Sequence, residues 1–116
     1  LAQVKTQLEN QEFLSRAQQE TENEKVRLVS LAQLGVGVVH LGLLEESPGI
    51  VALIGRLRGA AESLGGALVV ERCPADLKAR VEVWGAAGDD FGIMSKLKAA
   101  WDPKGILAPG RFVGGL

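Results

Sequence analysis

The sequence predicts an α+β chain: a small sheet, antiparallel or mixed, with helices on one face and a helical segment ahead of it. Three observations predict this. Residues 1–33 form a polar run with no Gly and no Pro. Residues 34–72 set one amphipathic helical pattern between two apolar extended runs. Residues 91–116 end in a helical pattern, an Asp-Pro stop and a tail of turns.

The first run is rich in Gln, Glu, Leu and Ala, which are adequate helix formers. It predicts a helix from about Ala2 to about Glu24. Leu1, Val4 and Leu8 keep helical spacing, and Phe13, Leu14 and Ala17 continue the stripe with a slip. From Gln18 to Lys25 the pattern is polar all round, so no heptad seam is sustained. Val26 to Ala32 alternates loosely and predicts a strand. All 15 Gly and all 4 Pro lie after Gln33, and every Gln and Asn lies at or before it. The composition therefore divides the chain into 1–33 and 34–116.

Gly35 to Leu43 reads as a strand with Val36, Val38 and His40 on one face and Val39, Leu41 and Leu43 on the other. With apolar residues on both faces, it is expected to be central and covered on each side. The Gly-x-Gly within it lacks the third glycine and the following helix of a dinucleotide fingerprint. Ser47-Pro48 suits a helix start, with Ser as a cap and Pro in the first turn. Ile50, Leu53, Ile54, Leu57, Ala61 and Leu64 then line one face, and Gly65-Gly66 closes the helix. Arg56 and Arg58 fall off that stripe and are expected on a solvated face. Ala67 to Arg72 predicts a second strand. Pro74 to Arg80 predicts a short helix, and Val81 to Trp84 a strand or an extended link. Asp89 or Asp90 can cap the last helix, whose apolar face is Met94, Leu97, Ala100 and Trp101. Asp102-Pro103 ends that helix, because a proline moves the residue before it out of the α region. Gly105 and Pro109-Gly110 supply two turns, and Arg111-Phe112-Val113 leaves the second one extended.

The charges nearly cancel, 13 basic against 14 acidic, and no basic block is present. Nucleic acid is therefore not expected as a partner. One cysteine, Cys73, excludes an internal disulfide and a cysteine zinc site. No apolar run approaches the ~20 residues of a membrane span. The chain opens on Leu1 rather than Met, which is expected of a piece of something longer.

Few residues carry recognisable chemistry. His40 is the only histidine. It has no neighbour at metal-ligand spacing, so no metal site is expected. On an apolar strand it is expected to be a hydrogen-bonded core residue, the alternative being a substrate contact. Arg72 at a strand end is either one half of an edge ion pair or a guanidinium fork for an anionic substrate. Cys73 has no base in sight and reads as a small buried side chain. Trp84 beside Gly85 suggests an indole packed across a neighbouring backbone. No Ser/His/Asp set and no acid–base pair of carboxylates is readable.

The ending Asp102, Pro103, Ile106, Leu107, Ala108, Pro109, Gly110, Arg111 resembles the C-terminal end of FAD-linked oxidases of the vanillyl-alcohol oxidase type. Gly35-Val36-Gly37-Val38-Val39, the run Gly65 to Arg72, Val83-Trp84-Gly85 and Arg111 to Gly115 look most like one branch, the glycolate oxidase FAD-binding subunit GlcE. The resemblance covers about residues 34–116. It departs at Ala108, where relatives usually carry Asn before Pro-Gly.

The resemblance implies a cap fragment of a flavin-dependent oxidoreductase that converts a 2-hydroxy acid, such as glycolate, to a 2-oxo acid. It implies FAD held by a separate flavin-binding domain, with Pro109, Gly110 and Arg111 closest to it. Arg72 and His40, singled out above from the residues themselves, are the expected substrate contacts, and the resemblance implies partner subunits that include an iron–sulfur one. It also implies a cytoplasmic setting, peripheral to the membrane through those partners. No activity and no tight FAD binding are expected of this chain alone. Two other readings fit the residues: a small α+β ligand-binding module, and a helical interaction protein acting through residues 1–33.

Overall fold

The computed structural model describes residues 2–33, 35–44 and 47–116, with side chains from Glu9 onward. Leu1 and Leu34 lie outside the described residues, and the side chains of Val4 and Leu8, the rest of the expected first stripe, lie outside the described side chains. The elements run α1 (Ala2–Asn23), β1 (Leu28–Gln33), β2 (Val38–Leu43), α2 (Ile50–Ser63), α3 (Ala75–Lys78) and α4 (Phe91–Trp101), then a 3₁₀ turn at Val113–Gly115. The fold is α+β, with a two-stranded antiparallel sheet. The chain divides into two compact units, Leu1–Leu68 and Val69–Leu116.

In the first unit, β1 and β2 form a hairpin in which Leu28 faces Leu43, Ser30 faces Leu41 and Gln33 faces Val38. The turn between them closes through Gly37, whose φ is +72°. The compositional boundary after Gln33 falls in this turn. One sheet face turns inward. Leu28, Leu41 and Leu43 pack there against Ala17 of α1, Leu53 and Leu57 of α2, and Val26. Leu53 is fully buried, and such a side chain contributes about 1.5–3 kcal/mol of transfer free energy. Both helices therefore lie on one face of the sheet.

The other face is bare. Val29, Leu31 and Val38 are exposed by 54, 63 and 41 %. Their neighbour His40 is also exposed and stands opposite Leu31 in the ladder. This corrects two expectations. β2 is not a covered central strand, and His40 is not a core residue. The apolar alternation was read correctly, but a two-stranded hairpin packed by helices on one side leaves its second face in water. Arg56 is likewise not merely solvated. Its Nε donates to Glu20 and its Nη2 to Glu24, each at 2.6 Å, tying α2 to α1. Those carboxylates hold its pKa above the ordinary value, Glu24 first.

The helix ends follow backbone rules. After α2, the Gly65 and Gly66 amides return to the carbonyls of Glu62 and Ala61. This is the paired Schellman pattern, with Gly65 at φ +75°. After α1 the same pattern is built on Lys25, at φ +56°, and it delivers Val26 into the core. At the start of α2 the Ser47 hydroxyl accepts from the Gly49 amide instead of capping the helix itself.

Ala67–Arg72, which spans the boundary between the two units, and Val81–Trp84 of the second unit do not form strands. A single backbone bond, Val70 N–H to Val83 C=O at 2.9 Å, joins them. The expected second strand fails to propagate because Pro74 follows at once and has no amide to extend a ladder. Asp90 stands at the N-cap of α4 but makes no side-chain cap bond. None of the residues of α4 is buried. Ile93, Leu97 and Trp101, four residues apart, are exposed by 64, 45 and 79 %.

Candidate functional site: the cleft and tail of the second unit

Asp102 organises the ending. Its carboxylate is buried, and three donors meet it: the amides of Ile106 and Leu107 at 2.9 Å, and the Lys98 ammonium at 2.6 Å. Lys98 also donates to the Leu107 carbonyl at 2.6 Å. One side chain from the last turn of α4 thus grips both the acid and the tail. Charge-assisted bonds of this kind are shorter and stronger than neutral ones. They hold the Asp102 carboxyl down at about 2, the Lys98 bond contributing most. The Gly105 amide returns to the Asp102 carbonyl, with Gly105 at φ +61°. The role of Asp102-Pro103 exceeds that of a helix stop.

The next turn is strained. Ala108 sits at φ +45° and its carbonyl accepts from the Arg111 amide. Asn tolerates this left-handed region, and Ala does not, because its Cβ crowds the following carbonyl. The position where Ala108 replaces the Asn of the resembled motif is thus one where Asn has a backbone reason to occur.

Trp84 fixes the far end. Its Nε1–H donates to the Arg111 carbonyl at 3.2 Å, and its ring meets Phe112 edge-on, with centroids 5.0 Å apart at 67°. Gly114, at φ +63°, lies so close to the Phe91 ring that a side chain there would collide with it. The tail is therefore anchored at both ends while its middle points outward. Ile106 and Leu107 are exposed by 72 and 62 %.

The extended segments, the short helix and the tail enclose an open cleft of about 1080 Å³. Arg72, Lys78 and Arg111 line it, with Glu71 and Glu82. No ion pair engages the side chains of those three cations among the described residues. Two residues singled out in the sequence, Arg72 and Arg111, come to one cleft. His40 belongs to the first unit and does not line it. Pro109 does not line it, whereas its neighbour Gly110 does. Sequence reasoning passed over Lys78 and Lys98. The spacing of Lys98 to Asp102, four residues on a helix, was a readable signal.

Gly110 and Arg111 bring one residue without a side chain and one guanidinium to the cleft. Among the described residues no group of three or more His, Cys, Asp or Glu could hold a metal ion. No described helix is long and apolar enough to cross a membrane.

Two measurements test the ending. The depressed pKa of Asp102 means that its carboxylate stabilises the fold in full above pH 3.8 and ceases to do so as pH falls towards 2. Thermal midpoints of the wild type and Asp102→Asn should differ at neutral pH and converge across that window; a constant gap would refute the assignment. Ala108→Gly should raise stability by about 1 kcal/mol in urea unfolding, because glycine carries no left-handed penalty. A loss of stability would mean that the turn is not strained.

No curated protein and no solved structure matches the chain. A family model does match residues 78–112, a stretch that runs from the end of α3 to Phe112 and contains Trp84, Lys98, Asp102, Ala108 and Arg111. That stretch is similar to the C-terminal domain of the FAD linked oxidases.

Proposed function

We propose that this chain is the cap, or substrate, part of a flavin-dependent oxidoreductase that oxidises a 2-hydroxy acid to a 2-oxo acid, as GlcE does with glycolate. The observation that carries this is the rigid, outward-facing ending. Asp102, Lys98 and Trp84 hold the backbone of residues 102–112 in one shape, yet Ile106 and Leu107 stay in water. Ordering such a segment costs conformational entropy, and exposed apolar side chains return nothing for it in isolation. A surface of this kind is complete only against a partner. Ile93, Leu97 and Trp101 of α4 add further exposed apolar surface in the same unit.

The partner in this reading is the flavin-binding domain of the same oxidase, within an assembly that includes an iron–sulfur subunit. Bound there, FAD supplies the two-electron chemistry. The residues of this chain bind and orient the acid. Arg72 pairs with its carboxylate, as a guanidinium fork does. Arg111 makes the charged contact at the flavin side, with Pro109 and Gly110 in the turn before it. His40, exposed on the sheet of the first unit, has no substrate role in this reading. Residues 1–33 act as a leading segment of different composition from 34–116, and the assembly is placed in the cytoplasm.

The test is co-purification of FAD with this chain when it is produced together with the flavin-binding domain of the oxidase. Wild type should retain flavin and turn over glycolate. Leu107→Asp should abolish retention, and Arg111→Ala should lower retention or turnover about tenfold, the loss of one charge-assisted bond. Flavin retention unchanged in Leu107→Asp would overturn the docking role of the tail.

A further inference from the structure

We infer that β2 pairs edge to edge with β2 of a second copy of this chain, closing a four-stranded sheet across a two-fold axis. The inference concerns the first unit, outside residues 78–112, and stands apart from the reading above.

The ladder shows which backbone groups are already used. The Leu44 amide donates to the Arg27 carbonyl at 3.1 Å, and the register runs on through Val29 with Gly42, Leu31 with His40 and Gln33 with Val38. In an antiparallel pair every second residue turns its amide and carbonyl to the neighbouring strand, and the residues between turn theirs away. On β2 those outward residues are Val39, Leu41 and Leu43; on β1 they are Leu28, Ser30 and Ala32. Among the described residues no further strand joins either edge. Edge strands are ordinarily protected by a charge or a proline, and neither strand carries one.

The two edges differ. The outward residues of β2 are all apolar and half-buried, with Leu41 and Leu43 packed on the core. Those of β1 include Ser30, which is exposed. A strand laid beside β2 would therefore extend the apolar inner face, whereas one beside β1 would meet a hydroxyl.

The sequence of β2 fits itself. With the two-fold axis at Leu41, Leu41 faces Leu41 of the second copy, and Val39 faces Leu43 on either side. Every outward residue of both strands then exchanges two backbone bonds with its partner. Moving the axis by one residue in either direction leaves one outward residue of each β2 without a partner in the other. On the bare face the same register sets Val38 opposite Leu44 of the second copy. These two side chains are exposed by 41 and 57 %, and each would cover the other. It also sets His40 opposite Gly42, where the imidazole has room. No like charges meet, and such opposition is what most weakens cross-strand pairs. Closure uses up the β2 edge of both copies, so association stops at two.

The experiment is sedimentation equilibrium of the full chain under reducing conditions, which keep Cys73 from linking copies. The mass should rise with concentration from 12.3 kDa to twice that value and no further. His40→Lys combined with Gly42→Lys places like charges opposite each other twice and should weaken association about tenfold. His40→Glu combined with Gly42→Lys places opposite charges at the same positions and should restore it to the wild-type level or better. These positions lie on the bare face, and a Cβ at Gly42 meets nothing nearer than 3.8 Å, so the monomer accommodates them. Amide exchange of the wild type gives a check that needs no variant. Val39, Leu41 and Leu43 should gain protection as concentration rises, while Leu28, Ser30 and Ala32 should not.

A mass of one chain at every concentration up to about 1 mM, the weak end of specific association, would overturn the inference. Equal weakening by both charge pairs would mean that the bare face itself is the contact. No weakening by either would place the contact elsewhere, on β1 or α4. Each of those results also overturns it.

Discussion

A single carboxylate decides the shape of the last fifteen residues. Asp102 lies at the junction between helix and tail, and it takes up two backbone amides that would otherwise need water or a sheet. Unpaired amides in a turn leave the chain free to sample many paths; an ionised acceptor selects one of them. Lys98 completes the arrangement by neutralising the acid and holding the Leu107 carbonyl with the same ammonium group. The proline after Asp102 contributes stiffness, but the acid contributes direction. Without it, neither the strained turn at Ala108 nor the contact of Trp84 with Arg111 would have a fixed frame.

That frame explains a contradiction in the burial pattern. The first unit has an ordinary small core around Leu53, Leu57 and Ala17, with helices on one sheet face. The second unit buries little beyond Leu77, Val81 and Asp102, and its longer helix α4 buries nothing, so polar and aromatic contacts hold its ending. A segment ordered by hydrogen bonds, with its apolar groups facing out, is built to be covered. Residues 78–112, which include that segment, are similar to the C-terminal domain of the FAD linked oxidases. The match spans the anchors of the tail and stops short of Arg72, the hairpin and α1.

Much of the fold was legible in the sequence because it follows local rules. The breaker-free stretch gave α1, the period of Ile50 to Ala61 gave α2, and Asp102-Pro103 ended α4 where expected. The alternation of residues 36–43 assigned the two faces of β2 correctly. What it could not assign was cover, because cover depends on how many strands join the sheet. The same gap misplaced His40, which stands in water beside Leu31. Residues 67–72 carried a strand pattern, yet only one backbone bond formed with Val83, and Pro74 brings no amide with which to extend the ladder.

The cleft was legible only in part. Arg72 and Arg111 stood out as charges at ends and turns, but nothing in their 39-residue separation announced that they would share a cavity. Lys78 carried no signal at all, since a lysine on a short helix is ordinarily solvated. The clamp of Arg56 on Glu20 and Glu24 was hidden for the same reason, being long-range in sequence. The most direct measurement of the central claim is hydrogen exchange at the Ile106 and Leu107 amides in the full chain. Strong protection in the wild type, lost in Asp102→Ala although both side chains are exposed, is the predicted result. Rapid exchange of both amides in the wild type would contradict it.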